Sequence, residues 1–182
     1  MRIERGWLDS ATQTLSPNFN HRPAAETVSL LVIHNISLPP GRFGTGCIED
    51  FFCNQLDVGA DPYFEDIQDL QVSAHLLIAR DGRITQFVNF DERAWHAGQS
   101  RFEHRSNCND FSIGIELEGT DDQPYTDAQY QSLVECTAAL MQAYPAITFD
   151  RIAGHSDIAP GRKTDPGEAF DWKRYREALD RG

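Results

Sequence analysis

Three histidines occupy positions where an imidazole must either find hydrogen bonds or do chemistry: His34, His75 and His155 lie in or beside apolar segments. The last of them falls in the densest run of reactive side chains in the sequence, Ala153-Gly154-His155-Ser156-Asp157-Ile158-Ala159-Pro160-Gly161-Arg162-Lys163-Thr164-Asp165-Pro166-Gly167. This loop, rich in Gly and Pro, gathers His, Asp, Arg and Lys, and loops held on a rigid scaffold are where function concentrates. Neutral imidazoles and a carboxylate suit Zn²⁺, and three protein ligands leave a fourth tetrahedral position for water, as in a catalytic rather than a structural site. A His-x9-Asp spacing is weak by itself, and any one of these histidines taken alone is better explained as a hydrogen-bonded core residue. No His-Glu-x-x-His occurs, which excludes a helix-borne metallopeptidase site.

These side chains need elements to position them. Ser29-Leu30-Leu31-Val32-Ile33-His34 is a continuous apolar run, the pattern of a strand buried on both faces, and Pro39-Pro40-Gly41 stops anything beyond it. His34 is therefore expected near the end of a buried strand. Residues 72–80 and 83–90 flank Asp81-Gly82 as a hairpin would. His75, next to Leu76, Leu77 and Ile78, reads as a structural histidine or as a support for a ligand. The segment 111–118 reads as another strand, with Phe111, Ile113, Ile115 and Leu117 on one face and Ser112, Gly114, Glu116 and Glu118 on the other. Glu116 and Glu118 are thus equal candidates for a proton-transferring carboxylate or for solvated strand residues. A capping box at Thr126-Asp127-Ala128-Gln129 opens a helix carried by Tyr130, Leu133, Val134, Thr137, Leu140 and Met141 until Pro145. Shorter helices are expected over 47–56 and 171–180. The expected fold is α/β of the mixed α+β kind: a single central mixed β-sheet flanked by helices.

With 182 residues, 40% of them hydrophobic, the chain suits one domain spanning 1–182 around one substantial core. Its 16 Lys and Arg against 28 Asp and Glu give a formal charge of −12, which argues against nucleic acid as a partner. Neither a secretory leader nor an apolar stretch of membrane-spanning length is present, so a cytoplasmic protein with no membrane partner is expected. Cys47, Cys53, Cys108 and Cys136 show no C-x-x-C spacing and are read as free thiols in a reducing compartment.

Several blocks taken in order carry a resemblance. They are Leu31-Val32-Ile33-His34-Asn35-Ile36-Ser37-Leu38-Pro39-Pro40-Gly41, Val72-Ser73-Ala74-His75, Arg93-Ala94-Trp95-His96-Ala97-Gly98, the stretch Asn109-Asp110 running through Thr120, and the loop 153–167. Together they resemble the zinc N-acetylmuramoyl-L-alanine amidases, a family that includes phage lysozyme-amidases and animal peptidoglycan-recognition proteins. The likeness is greatest to the cytosolic subgroup that acts on 1,6-anhydro-N-acetylmuramyl-L-alanine.

The resemblance implies one zinc ion on His34, His155 and Asp165, with Glu116 handling the proton of the attacking water and Lys163 facing the developing oxyanion. It also implies an anhydro-muropeptide as substrate and a role in cell-wall recycling and thereby in β-lactamase induction; a monomer is expected. Asn35, Trp95 and Arg162 are the candidate substrate contacts: the Arg162-Lys163 pair in so acidic a chain suggests recognition of a carboxylate-bearing ligand, the alternative being loop charges paired with Asp165 or Asp157. Many relatives carry Tyr just before the histidine of the 72–75 block, where this chain has Ala74, and that leaves Glu116 as the proton-transfer candidate. Gln71 and Asn107 are neutral where the subgroup has basic substrate contacts, with Arg105 as the nearby compensating charge. Trp95 and His96 fit equally well as core residues or as a platform for a sugar ring. The alternative reading is a non-catalytic peptidoglycan-binding module, which has no need of the complete set of ligands, Glu116 and Lys163.

Overall fold

The computed structural model describes residues 1–181. Its framework is a mixed sheet of β1 (Thr12–Gln13), β2 (Leu30–Ile36), β3 (Leu76–Ile78), β4 (Ile84–Gln86), β5 (Ser112–Glu118) and β6 (Ile152–Gly154). The spatial order is β6-β2-β5-β3-β4-β1. The first four strands in that order run parallel, β4 is antiparallel to β3, and β1 is parallel to β4. Every residue of β5 is buried, as are the first five of β2, which is why both segments read as apolar runs flanked by turn residues.

The helices are α1 (Cys47–Phe52), α2 (Asp127–Ala143), α3 (His155–Ile158) and α4 (Trp172–Asp180). The capping box forms as read: Thr126 accepts from the Gln129 N–H, and the Gln129 side chain accepts from the Thr126 N–H. Leu133 and Leu140 of α2 and Tyr175 of α4 pack with Leu31, Ile33, Ile113, Ile115 and Leu117 on one face of the sheet. The other face carries Leu30 and Val32 together with Ala97, Phe111, Ala153 and Ile158. Phe111 thus departs from the expected alternation. Its backbone (φ −130°, ψ 10°) is not yet extended, so the strand begins one residue later.

Two elements are shorter than their sequence pattern. Helix α1 stops at Phe52 because Asn54 turns left-handed at φ 57°, although Leu56 still packs against the same cluster. The hairpin strands β3 and β4 are short because the flanking backbone pairs elsewhere: Ser73 N–H donates to Trp95 O and Phe90 N–H to Gly6 O. Gly82 makes the turn at φ +85°, as expected.

His75 is fully buried at the entry to β3 and is locked to Gly114. Its backbone N–H donates to Gly114 O, and its Nδ1 accepts from the Gly114 N–H, both at 3.0 Å. The ring proton therefore resides on Nε2, which donates to Glu92 O at 3.1 Å. Burial, reinforced by the Arg22 guanidinium, pushes this imidazole down to about 3. The unfolded ring takes up a proton near 6.5 while the folded ring stays neutral, so its contribution is complete above pH 6.5 and is lost as pH falls below it. The loss from this one residue reaches about 1.4 kcal/mol per pH unit. Urea midpoints of the metal-free protein should fall between pH 7.5 and 5.0. His75→Asn, whose amide oxygen replaces Nδ1 as acceptor, should flatten that fall, and equal slopes for the two proteins would contradict the assignment.

Candidate active site and metal centre

The parallel register of β5 on β2 sets Glu116 directly beside His34, and that of β6 on β2 sets Gly154 beside Ile33. His155 follows Gly154 and opens α3, so both histidines emerge at the carboxyl ends of parallel strands, where α/β sheets bind ligands. Asp165 reaches them from the loop after α3, which folds back so that Ser156 N–H donates to Asp165 O at 2.9 Å. Asn35 and Tyr125 brace that loop by donating to Pro166 O at 3.1 and 2.8 Å.

The three side chains converge on a triangle. His34 Nδ1 lies 3.0 Å from His155 Nδ1 and 3.2 Å from Asp165 Oδ2, and His155 Nδ1 lies 3.1 Å from that same oxygen. Ligands at zinc bond lengths of ~2.0–2.1 Å in a tetrahedron stand about 3.3 Å apart, so the triangle is close to the size that Zn²⁺ requires. The donor chemistry fits as well. Burial pushes His34 down to about 4, which keeps the imidazole neutral, against the pull of its hydrogen bond to Asp165. Burial raises Asp165, but hydrogen bonds from His155 and His34 outweigh it and hold the carboxyl well below its ordinary range. The expected ligand set is therefore brought together, and among the described residues it is the group of His, Cys, Asp and Glu side chains placed to hold a metal.

Glu116 and Glu118 share a strand face, yet their surroundings differ. Glu118 is buried rather than solvated, and both its oxygens are taken: Oε1 accepts from the Gly44 N–H at 2.5 Å and Oε2 from the Arg80 N–H at 3.1 Å. It fastens the loop after β2 to the end of β3. Glu116 is also buried, but its Oε2 has no hydrogen-bond partner among the described residues, and its Oε1 stands 4.0 Å from His34 Nδ1. Burial, followed by the Asp165 charge, raises this carboxyl well above its ordinary value, with Lys163 opposing. Buried polar atoms are nearly always paired, so an orphaned carboxylate oxygen beside the His34, His155 and Asp165 triangle makes Glu116 a candidate for proton transfer.

A cleft of about 360 Å³ opens at the triangle, its lining including polar Asn35, Lys163 and Glu116 together with Trp95, Leu38, Tyr63 and Ile67. Trp95 is fixed by its indole N–H, which donates to Asn20 Oδ1 at 2.7 Å in a ribbon formed by Phe19–His21 and Glu92–Ala94. Arg162 does not line the cleft; its guanidinium donates to Ala97 O and Gln99 O at 2.7 and 2.8 Å. Arg105 is likewise occupied elsewhere, paired with Glu26 and stacked over Phe111. A larger hollow of about 550 Å³ lies behind Phe43, Arg80 and Glu118, away from the ligand triangle.

Residues 24–168 match the family described as N-acetylmuramoyl-L-alanine amidase. The chain belongs to this family. It is 59% identical over 177 residues to the 1,6-anhydro-N-acetylmuramyl-L-alanine amidase AmpD of Haemophilus influenzae, a match covering 97% of this chain and 96% of that protein. A crystal structure of a selenomethionine derivative of AmpD matches with a TM-score of 0.96 at 56% identity, covering 98% of this chain and 99% of that one. The Escherichia coli amidase AmiD, solved as a complex with anhydro-N-acetylmuramic acid-L-Ala-D-gamma-Glu-L-Lys, matches with a TM-score of 0.62 at 31% identity, covering 87% of this chain and 60% of that one. Both the resemblance and the expected fold stand.

Some of the amidase's site residues carry no sequence signal of their own. Asn109 holds the 96–97 backbone through its Oδ1, and the half-buried Arg22 donates to the carbonyls of Phe90, Asn109 and Ser112. Both act through partners distant in sequence.

The contrast between the two glutamates reads out as stability. Removing the Glu118 carboxylate frees the Gly44 and Arg80 amides and costs about 1–3 kcal/mol. Neutralising Glu116 relieves an uncompensated buried charge. Thermal melts of the metal-free protein should place Glu118→Ala several degrees below wild type and Glu116→Gln at or above it; the opposite ranking would overturn this division.

Proposed function

We propose that this amidase is zinc-dependent and hydrolyses the amide between the lactyl group of 1,6-anhydro-N-acetylmuramic acid and the L-alanine of its stem peptide. The orphaned Glu116 Oε2 beside the ligand triangle carries the reading, because a binding module has no use for an unpaired buried carboxylate. The high identity to AmpD and the anhydro-muropeptide held by AmiD support the substrate.

His34, His155 and Asp165 would hold the ion. When bound, zinc supplies Lewis-acid chemistry, acidifying a water and polarising the scissile carbonyl. Glu116 accepts a proton from the attacking water as the carbon–oxygen bond forms, then returns it to the L-alanine nitrogen as the carbon–nitrogen bond breaks. Lys163, at the cleft wall, favours negative charge on the carbonyl oxygen, and the apolar wall of Leu38, Tyr63 and Ile67 strengthens that effect by excluding water. Trp95 offers a ring face and Asn35 an amide to the sugar or peptide. Arg162 holds a loop beside the site rather than contacting substrate.

The same reading assigns the enzyme to the cytoplasm, as a monomer acting on recycled muropeptides and so lowering the signal for β-lactamase induction. No helix among the described residues is long and apolar enough to cross a membrane.

Chelation should abolish turnover and stoichiometric zinc should restore it; full activity in metal-free protein would end the metal reading. Glu116→Gln should lower kcat by about 10²–10⁴-fold while retaining zinc. Incubated with anhydro-muropeptides or with intact murein, the enzyme should release peptide from the former, detected by mass spectrometry. Release from polymeric murein alone would refute the recycling role.

A further inference from the structure

The hydrogen bonds behind the ligand histidines lead to a single dipeptide, and with a metal on both Nδ1 atoms they allow one arrangement of protons. For His34 to offer Nδ1 to a metal, its proton must reside on Nε2 and find an acceptor. Nε2 lies 2.9 Å from His96 Nδ1, so His96 must present that nitrogen unprotonated. The His96 proton is then on Nε2, which donates to Ser112 Oγ at 3.0 Å. His155 meets the same requirement from the adjoining residue: its Nδ1 faces the triangle and its Nε2–H donates to Ala97 O at 3.2 Å. The reversed tautomer at His155 would leave a proton pointing at the metal position and a buried nitrogen lone pair facing the Ala97 carbonyl; at His34 it would point a proton at the metal position and reverse the roles of His96 and Ser112.

The dipeptide is itself held from three sides. Asn109 Oδ1 accepts from both of its backbone N–H groups, at 3.1 Å from His96 and 2.8 Å from Ala97. Arg162 donates to Ala97 O at 2.7 Å, filling the lone pair of that carbonyl that His155 leaves free. On the strand side, Gly114 makes room for the imidazole: a Cβ there would lie 2.5 Å from His96 Cγ, so no larger residue fits while the ring keeps its place.

We propose that the 96–97 dipeptide is a clamp that sets the tautomer and orientation of both metal-binding histidines, with His96 as the positioning residue for His34 and Arg162 as a brace on the carbonyl that orients His155. The inference rests on the zinc reading of the site. It also decides between the two roles open to His96 from sequence, core residue or sugar platform, in favour of neither.

The test measures zinc affinity by competition with a chromophoric chelator, together with the visible spectrum of the Co²⁺-substituted protein, in wild type, His96→Phe, His96→Asn and Arg162→Met. Phe fills the space without an acceptor, and should weaken zinc binding by about 10–100-fold and shift the cobalt bands. Asn places its amide oxygen where Nδ1 stood and should keep affinity close to wild type. Arg162→Met lies at the surface, should fold normally by circular dichroism, and should weaken zinc measurably though less than His96→Phe. Wild-type affinity in both His96→Phe and Arg162→Met refutes the clamp while leaving the zinc reading intact. Should His96→Phe fail to fold, unchanged affinity in Arg162→Met, or a loss in His96→Asn as large as that expected for Phe, refutes it instead. If wild type itself takes up no zinc, the zinc reading fails and the clamp with it.

Discussion

The site depends on the register between the two central strands. Leu30–Ile36 and Ser112–Glu118 pair in parallel, residue for residue, so that His34 stands beside Glu116. A slip by one residue would turn one partner to the face that α2 and α4 cover and carry apolar side chains into the cleft. The register is secured by Leu31, Ile33, Ile113, Ile115 and Leu117, all essentially without solvent exposure. Each contributes roughly 1.5–3 kcal/mol by burial. An unpaired buried polar group costs about 1–3 kcal/mol, so two such side chains outweigh the orphaned Glu116. The aliphatic face thus maintains the chemistry on the opposite face.

That balance explains why two glutamates two residues apart have opposite fates. Both lie in the same row of β5, but Glu118 receives two backbone donors, one from Gly44 in the loop after β2 and one from Arg80 after β3. Glu116 lines the cleft beside His34, where the charges that act on it are Asp165 and Lys163 and its Oε2 finds no donor among the described residues. One carboxylate is engaged in structure; the other is left unpaired with its proton affinity raised. A site in which every buried group were satisfied would be more stable and would have nothing to exchange with substrate.

Legibility in the sequence followed the range of each interaction. The buried strand ending near His34 and the capping box at Thr126 are local patterns, and both stand where they were read. The alternation of the next strand is right from Ser112 on and wrong for Phe111, whose backbone belongs to the preceding turn. Nothing in a spacing of 121 residues brings His34 to His155; only the resemblance joined them, and the parallel sheet supplies the physical reason. Charge could not show that the Arg162 guanidinium is engaged by the Ala97 and Gln99 carbonyls and that of Arg105 by Glu26, partners distant in sequence. The roles of His96 and Asn109 were illegible because an imidazole or an amide reveals its task only through the atom it faces.

The acidic composition bears on the proposed substrate, which carries carboxylates of its own. A formal charge of −12 argues against long-range attraction of such a ligand. At physiological ionic strength, however, screening confines the effect of an exposed charge to about 8 Å. Asp57, Glu65, Asp66 and Asp69 are exposed, whereas Phe64 and Ile67 of the same segment turn inward and Ile67 forms part of the cleft wall. Inside the cleft the charged groups within reach are Lys163, Glu116 and Asp165, and a divalent ion on the proposed site would add positive charge beside them. For the proposed anionic muropeptide, long-range steering is then weak, and discrimination would fall to groups lining the cleft.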